Sequence, residues 1–152
     1  MSPRGFAALG LHRPKNRLNV GEIMRAAGCY GVSMVALESE RFERSRTDTQ
    51  DAWKHMPTMI VPDLLAATPF GAEPVAVEFI DTATPLPQFT HPERAYYLLG
   101  PEDGSLPADV VRQCRHVVYV PTRYCMNLGA AANVLLYDRM VKQQAIARRF
   151  AA

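Results

Sequence analysis

His116-Val117-Val118-Tyr119-Val120-Pro121-Thr122-Arg123-Tyr124-Cys125-Met126-Asn127-Leu128 is the stretch on which the fold turns. Its first five residues are mostly β-branched or aromatic, the signature of a short strand buried on both faces. Pro121 ends the run. Beyond it, Leu128, Ala131, Leu135, Leu136 and Met140 recur at helical spacing, which predicts a helix from about Asn127 that continues toward Phe150. A strand, a short loop and a helix in that order form half of a parallel βαβ unit. The helix start offers free N–H groups to a polar or negative ligand. Asn127 is then either a simple N-cap or a ligand contact, and the residues alone leave both open.

Working outward, the chain repeats this alternation. Residues 6–11 read as a buried strand and residues 19–30 as a helix capped by Asn19, with Ile23, Met24, Ala27 and Tyr30 on one face and Gly31 as its stop. A second strand follows at 32–37, then a polar, Arg-rich surface loop at 38–50, too charged for core. The segment 51–59, with Trp53, carries no clear pattern, and 63–68 reads as a short helix capped by Asp63. Strands are predicted at 75–80 and 95–99 around a Pro-rich stretch, and a helix at 107–114. Such alternation predicts an α/β fold with a mostly parallel sheet and helices on both faces. Ligands bind such sheets at loops beyond the C-terminal ends of strands, here the loops after Leu11, Leu99 and Val120.

Bulk properties narrow the function little. The 152 residues suit one domain, and 48% apolar content is that of a globular chain. Seventeen Lys and Arg against fifteen Asp and Glu leave a net charge of +2, too small to argue nucleic-acid binding by itself. The basic residues do cluster: Arg4, Arg13, Lys15 and Arg17; then Arg41, Arg44 and Arg46; then Arg139, Lys142, Arg148 and Arg149. Each cluster is a solvated face unless it shares a surface with a cofactor pocket. The three cysteines form no CxxC pair and the four histidines have no ligand spacing, so neither a disulfide framework nor a metal site is expected. No signal peptide or long apolar run is present, which predicts a soluble, cytoplasmic protein without a membrane partner.

Three segments carry chemistry. Gly100-Pro101-Glu102-Asp103-Gly104-Ser105-Leu106-Pro107 follows a strand, and Gly100 permits close approach to the backbone. Asn19-Val20-Gly21-Glu22-Ile23-Met24-Arg25 places a guanidinium near a helix start, where it suits a phosphate. The third is the opening stretch. Singly they read as a turn, a surface arginine and a cap; neither a Walker loop nor GxGxxG is present.

Together, N-x-G-x-x-x-R, then G-P-E, then P-x-x-x-x-M-N-L before a C-terminal helix resembles the SpoU–TrmH family of SPOUT RNA methyltransferases. The likeness spans nearly the whole chain and is closest to the minimal, single-domain members that methylate tRNA wobble ribose. It implies one SPOUT methyltransferase domain over 1–152, with the C-terminal part threaded into a deep trefoil knot. Generic chain-connection rules exclude a knot, so only the resemblance suggests it. It further implies S-adenosyl-L-methionine as cofactor, RNA as substrate (tRNA first, rRNA as the alternative), 2′-O-ribose methylation, and a homodimer across which the motifs meet. The cofactor would lie among Val77, Glu78, Gly100, Glu102, Val120, Cys125, Met126 and Leu128, with Arg25, Asn19 and Asn127 at the reacting centre. Cys125 stands where the family usually has Ser, and Ser105 where many members have Gly. A thiol is a weaker hydrogen-bond donor than a hydroxyl, which implies a slower enzyme or a substitute donor. A knotted RNA-binding protein without catalysis, and a methyltransferase for a small molecule or base, are the rival readings.

Overall fold

The computed structural model describes residues 4–39 and 45–151. Its elements are β1 (Phe6–His12), α1 (Arg17–Cys29), β2 (Met34–Glu38), β3 (Thr58–Ile60), β4 (Glu73–Val77), β5 (Thr84–Pro85), β6 (Arg94–Leu99), α2 (Ala108–Gln113), β7 (His116–Tyr119) and α3 (Leu128–Ala151). The strands form one sheet in the order β3-β2-β1-β6-β4-β7-β5. Every pairing is parallel. The α/β expectation holds, and the sheet is more uniformly parallel than predicted.

Strand alternation builds two cores. Leu9, Leu11, Val35, Leu37, Tyr97 and Leu99 face α1 and α3, where Ile23, Met24, Leu135 and Leu136 cover them. Ala8, Ala36, Ala76, Tyr96 and Leu98 face the other way, against Leu64, Leu106 and the α2 residues Val110 and Val111. Burial of each large side chain contributes about 1.5–3 kcal/mol. Gly10 is needed in β1 because a Cβ there would lie 2.6 Å from Leu98 and 2.7 Å from the Tyr96 hydroxyl.

The register sets the working edge. Ile60, Leu37, Leu11, Leu99, Val77, Val118 and Thr84 form one row across the sheet. Since all strands run the same way, Glu78, Gly100 and Tyr119 emerge side by side just beyond it.

Several local expectations are corrected. Helix α1 begins at Arg17, and its cap is Asn16, whose side chain accepts from the Leu18 N–H at 2.8 Å. Asn19 therefore lies inside the first turn. Residues 63–68 form turns, not a helix. Asp63 still caps them, accepting from Leu65 N at 2.9 Å. The 38–50 segment is not wholly surface: Asp48 is buried and holds the Ala52 N–H at 2.9 Å. Of the second basic group, Arg41 and Arg44 lie outside the described residues. The short strands β3 and β5 were not legible, being three and two residues long.

The third basic group divides. Arg139 is buried, donating to the carbonyls of Phe6, Pro92 and Glu93 and to the Tyr97 hydroxyl. Lys142 donates to the carbonyls of Leu86 and Phe89 and pairs with Asp138 at 2.7 Å. Arg139 thus staples α3 to the end of the sheet away from the working edge and Lys142 staples it to the segment that follows β5, while Arg148 and Arg149 are exposed. Beside them the buried His91 ring bridges Tyr97 Oη at 2.6 Å and Asp138 Oδ2 at 2.8 Å. Burial pushes the Tyr97 phenol up to about 12, against the pull of Arg139.

Candidate active site

Beyond the working edge the 100–106 loop turns back on itself. A Cβ on Gly100 would come within 2.9 Å of Leu106 N, so no side chain fits there. Glu78 closes the loop: one carboxylate oxygen accepts from Leu106 N at 2.9 Å and the other from Phe79 N at 3.2 Å. Val77, Val120 and Leu128 pack half-buried on the rim of the α1-side core. Thr122 shapes the last loop, its hydroxyl donating to the Tyr124 carbonyl at 2.7 Å. Met126 is half-buried, while Cys125 is exposed with a free thiol.

The 100–106 loop is tied to the start of α1. Glu102 accepts from Lys15 N at 3.0 Å and Asn16 N at 3.1 Å, and Lys15 Nζ pairs with Asp103 at 2.9 Å. Burial acts to raise the Glu102 pKa. Hydrogen bonds from Lys15, its own backbone, Asn16 and the Asn19 side chain outweigh that and hold it below the usual carboxylate range. The Lys15–Asp103 hydrogen bond lowers the Asp103 pKa and raises that of Lys15.

Asn127 supplies the third tie. Its Oδ1 accepts from Gly129 N at 2.9 Å and Ala130 N at 3.3 Å, capping α3. Its Nδ2 donates to Asn19 Oδ1 at 3.2 Å. The cap reading holds, and the same side chain also reaches across to α1. Gly129 lets α3 approach α1: a Cβ there would press on the Glu22 side chain. Arg25, two turns along α1 from Asn19, is exposed and shares with Asn127 and Arg46 the wall of a concavity of about 680 Å³.

Of the residues singled out from sequence, Asn19, Asn127 and Glu102 meet through hydrogen bonds, and Arg25 shares a concavity with Asn127. Val77, Glu78, Gly100 and Val120 line up along the edge of the sheet. Lys15, Asn16, Asp103 and Arg46 were missed as parts of the site. An Asn before a helical pattern was a signal for Asn16; nothing local could show that Glu102 would hold it.

A family model described as the SpoU rRNA Methylase family matches residues 7–137. No curated protein matches the chain. Among solved structures, an rRNA methyltransferase from Sinorhizobium meliloti shares 20% identity with a TM-score of 0.79, over 93% of this chain and 58% of that one. The chain thus spans less than two thirds of its length. That methyltransferase has also been solved with AdoMet bound. The A. aeolicus TrmH/SpoU tRNA modifying enzyme gives 16% identity and a TM-score of 0.81, over 93% and 77% of the two chains. A structure described as giving insights into the 2-OH methylation of C/U34 on tRNA gives 22% and 0.76, over 95% and 99%. At these identities the likeness is one of fold.

Proposed function

The chain belongs to the SpoU rRNA methylase family, and from that premise we propose that it is an S-adenosylmethionine-dependent RNA 2′-O-methyltransferase acting on tRNA. The observation that carries the reading is the Asn19–Asn127 hydrogen bond, with Glu102 bonded to the same helix start. It joins three segments far apart in sequence into one site. The tRNA assignment is supported by the solved structure on tRNA C/U34 methylation, of which this chain covers 99%.

The residues fit the cofactor. Val77, Val120 and Leu128 offer half-buried apolar surface, and Gly100 leaves the loop backbone free of a side chain. When bound, S-adenosylmethionine supplies a methyl group already activated on a sulfonium. The protein's share is to align the ribose hydroxyl and stabilise the loss of its proton. The fork of the Arg25 guanidinium suits a phosphate and the forming alkoxide. Asn19 and Asn127 hold the helix starts of α1 and α3 in fixed relation, so that Arg25 faces the α3 entrance.

The same reading takes residues 1–152 as one methyltransferase domain whose C-terminal part is knotted. Its support is that β7 inserts between β4 and β5, both earlier in the chain. A homodimer is supported by Val134, Tyr137 and Val141, exposed in one stripe on α3. A cytoplasmic setting fits three free thiols; among the described residues no helix is long and apolar enough to cross a membrane.

The test is nucleoside mass spectrometry of tRNA and rRNA from a strain lacking the gene. Loss of one 2′-O-methylated nucleoside in tRNA, restored by the cloned gene, is expected. Loss from rRNA alone would overturn the tRNA assignment. Absence of S-adenosylmethionine binding by isothermal titration would leave a knotted RNA-binding protein instead.

A further inference from the structure

Arg25 is part of the wall of two concavities. One, of about 680 Å³, includes Asn127 and Arg46 and belongs to the site above. The other, of about 480 Å³, lies past Arg25 toward the C-terminal end of α1 and includes Gly28, Gly31, Ser33, Gln50 and His55. Gly28 is three residues beyond Arg25, about 4.5 Å farther along the helix axis. Both volumes fall in the range of about 300–1,000 Å³ that small ligands occupy, enough for one nucleotide each.

The second concavity has the chemistry of a nucleotide site. Among the described residues that line it, none is acidic. Among the described residues, the side chains of Ser33, Gln50 and His55 are exposed and make no hydrogen bond to the protein. A hydroxyl, an amide and an imidazole can each donate and accept, which suits base edges and ribose hydroxyls of an unpaired strand. Gly31, at φ 66°, has no atom within 4 Å of where a side chain would project, so its wall is open to a ring.

We propose that this second concavity binds the nucleotide adjoining the one that is methylated, with the phosphate between them held by Arg25. The inference rests on the reading of the protein as an RNA methyltransferase. It gives Arg25 a geometric task, since a residue shared by both hollows meets the linkage and not either base. Sequence preference next to the target then comes from Gln50 and His55.

The experiment measures transfer of tritiated methyl from S-adenosylmethionine to total RNA from a strain lacking the gene. Wild type is compared with the Gln50→Ala/His55→Ala double variant and with Ser33→Asp, which puts a negative charge in the hollow. These side chains are exposed, so the folded state is expected to survive, which circular dichroism checks. The double variant should raise KM for RNA roughly five- to tenfold, as loss of one or two hydrogen bonds implies, with a much smaller change in kcat. Ser33→Asp should raise KM more. Cofactor affinity should stay at the wild-type value. Unchanged KM in both variants, with active wild type, overturns the subsite alone. A shifted oligomeric state in place of a raised KM also overturns it, because the hollow would then be a contact between copies. Wild type that methylates no RNA overturns the methyltransferase reading and the subsite with it.

Discussion

The side-chain amide of Asn127 donates to Asn19 Oδ1 at 3.2 Å, joining residues 108 positions apart. Its carbonyl oxygen meanwhile caps α3 through Gly129 and Ala130. One side chain therefore performs two separable tasks.

Substitution separates them. Asn127→Ala removes cap and bridge, and should cost about 1 kcal/mol of stability together with most activity. Asn127→Asp keeps an oxygen for the cap but has no amide to donate to Asn19. Its melting temperature should stay near wild type while methyl transfer falls. Equal activity of Asn127→Asp and wild type would remove the bridge from the mechanism. Calorimetry and a methyl-transfer assay read the two effects.

Arg25 has no hydrogen-bond partner among the described residues and faces the concavity it shares with Asn127. Arg25→Lys keeps the charge and loses the bidentate fork, so methyl transfer should fall on the order of ten- to a hundredfold. Full activity would argue against any need for the fork.

Gly129 sits where α3 meets α1. Gly129→Ala improves helix propensity, yet its Cβ would lie 2.8 Å from the Glu22 Cβ. Overpacking wins: a net loss of about 1–3 kcal/mol is expected by chemical denaturation. A stabilised variant would mean that α1 and α3 can part without cost.

Arg139 and Arg149 look alike in sequence and should behave oppositely. Arg139→Met strands four acceptors and should destabilise by on the order of 3 kcal/mol. Arg149→Ala, on the exposed end of α3, should stay within about 0.5 kcal/mol of wild type. Thermal melts of the two variants check the contrast.

Stability should fall with acid before the carboxylates titrate. Burial lowers the His91 pKa below its usual 6.5, against the raising effect of Asp138, with Arg139 and Lys142 adding to the lowering. The unfolded chain then binds more protons than the folded one near and below pH 6.5. This contribution is fully present above the unfolded value and is lost as pH falls through the folded one. The carboxyls of Glu73, Glu102 and Asp103, lowered from values of 4.5 or less, act only in more acid solution. Melts from pH 8 to 5.5 should slope downward in wild type and flatten in His91→Gln. Parallel profiles would assign the slope to another group.

Much of the fold was legible because its signals are local. The apolar runs at β1, β6 and β7 and the 3.6-residue pattern of α3 need only neighbouring residues to be recognised. Strands β3 and β5 escaped because two or three residues carry no period. The 38–50 segment misled because Asp48, polar by type, is buried in service of the Ala52 N–H. Arg139 misled for the same reason: charge predicts exposure unless carbonyls are waiting, and its acceptors lie on Phe6, Pro92 and Glu93.

By itself, then, the stretch from His116 to Leu128 determined a strand, a tight loop and a helix start, and with Gly100 and Arg25 it determined the family. The strand, loop and helix start follow from side-chain periodicity and from residue types that few backbones tolerate; the family came from the resemblance of the motifs to those of known proteins. Only the tertiary structure decided that Asn127 reaches Asn19, that Glu102 grips the start of α1, and that Arg25 stands between two hollows. Such contacts depend on strand order and register across the sheet, which bring together residues that no sequence window contains.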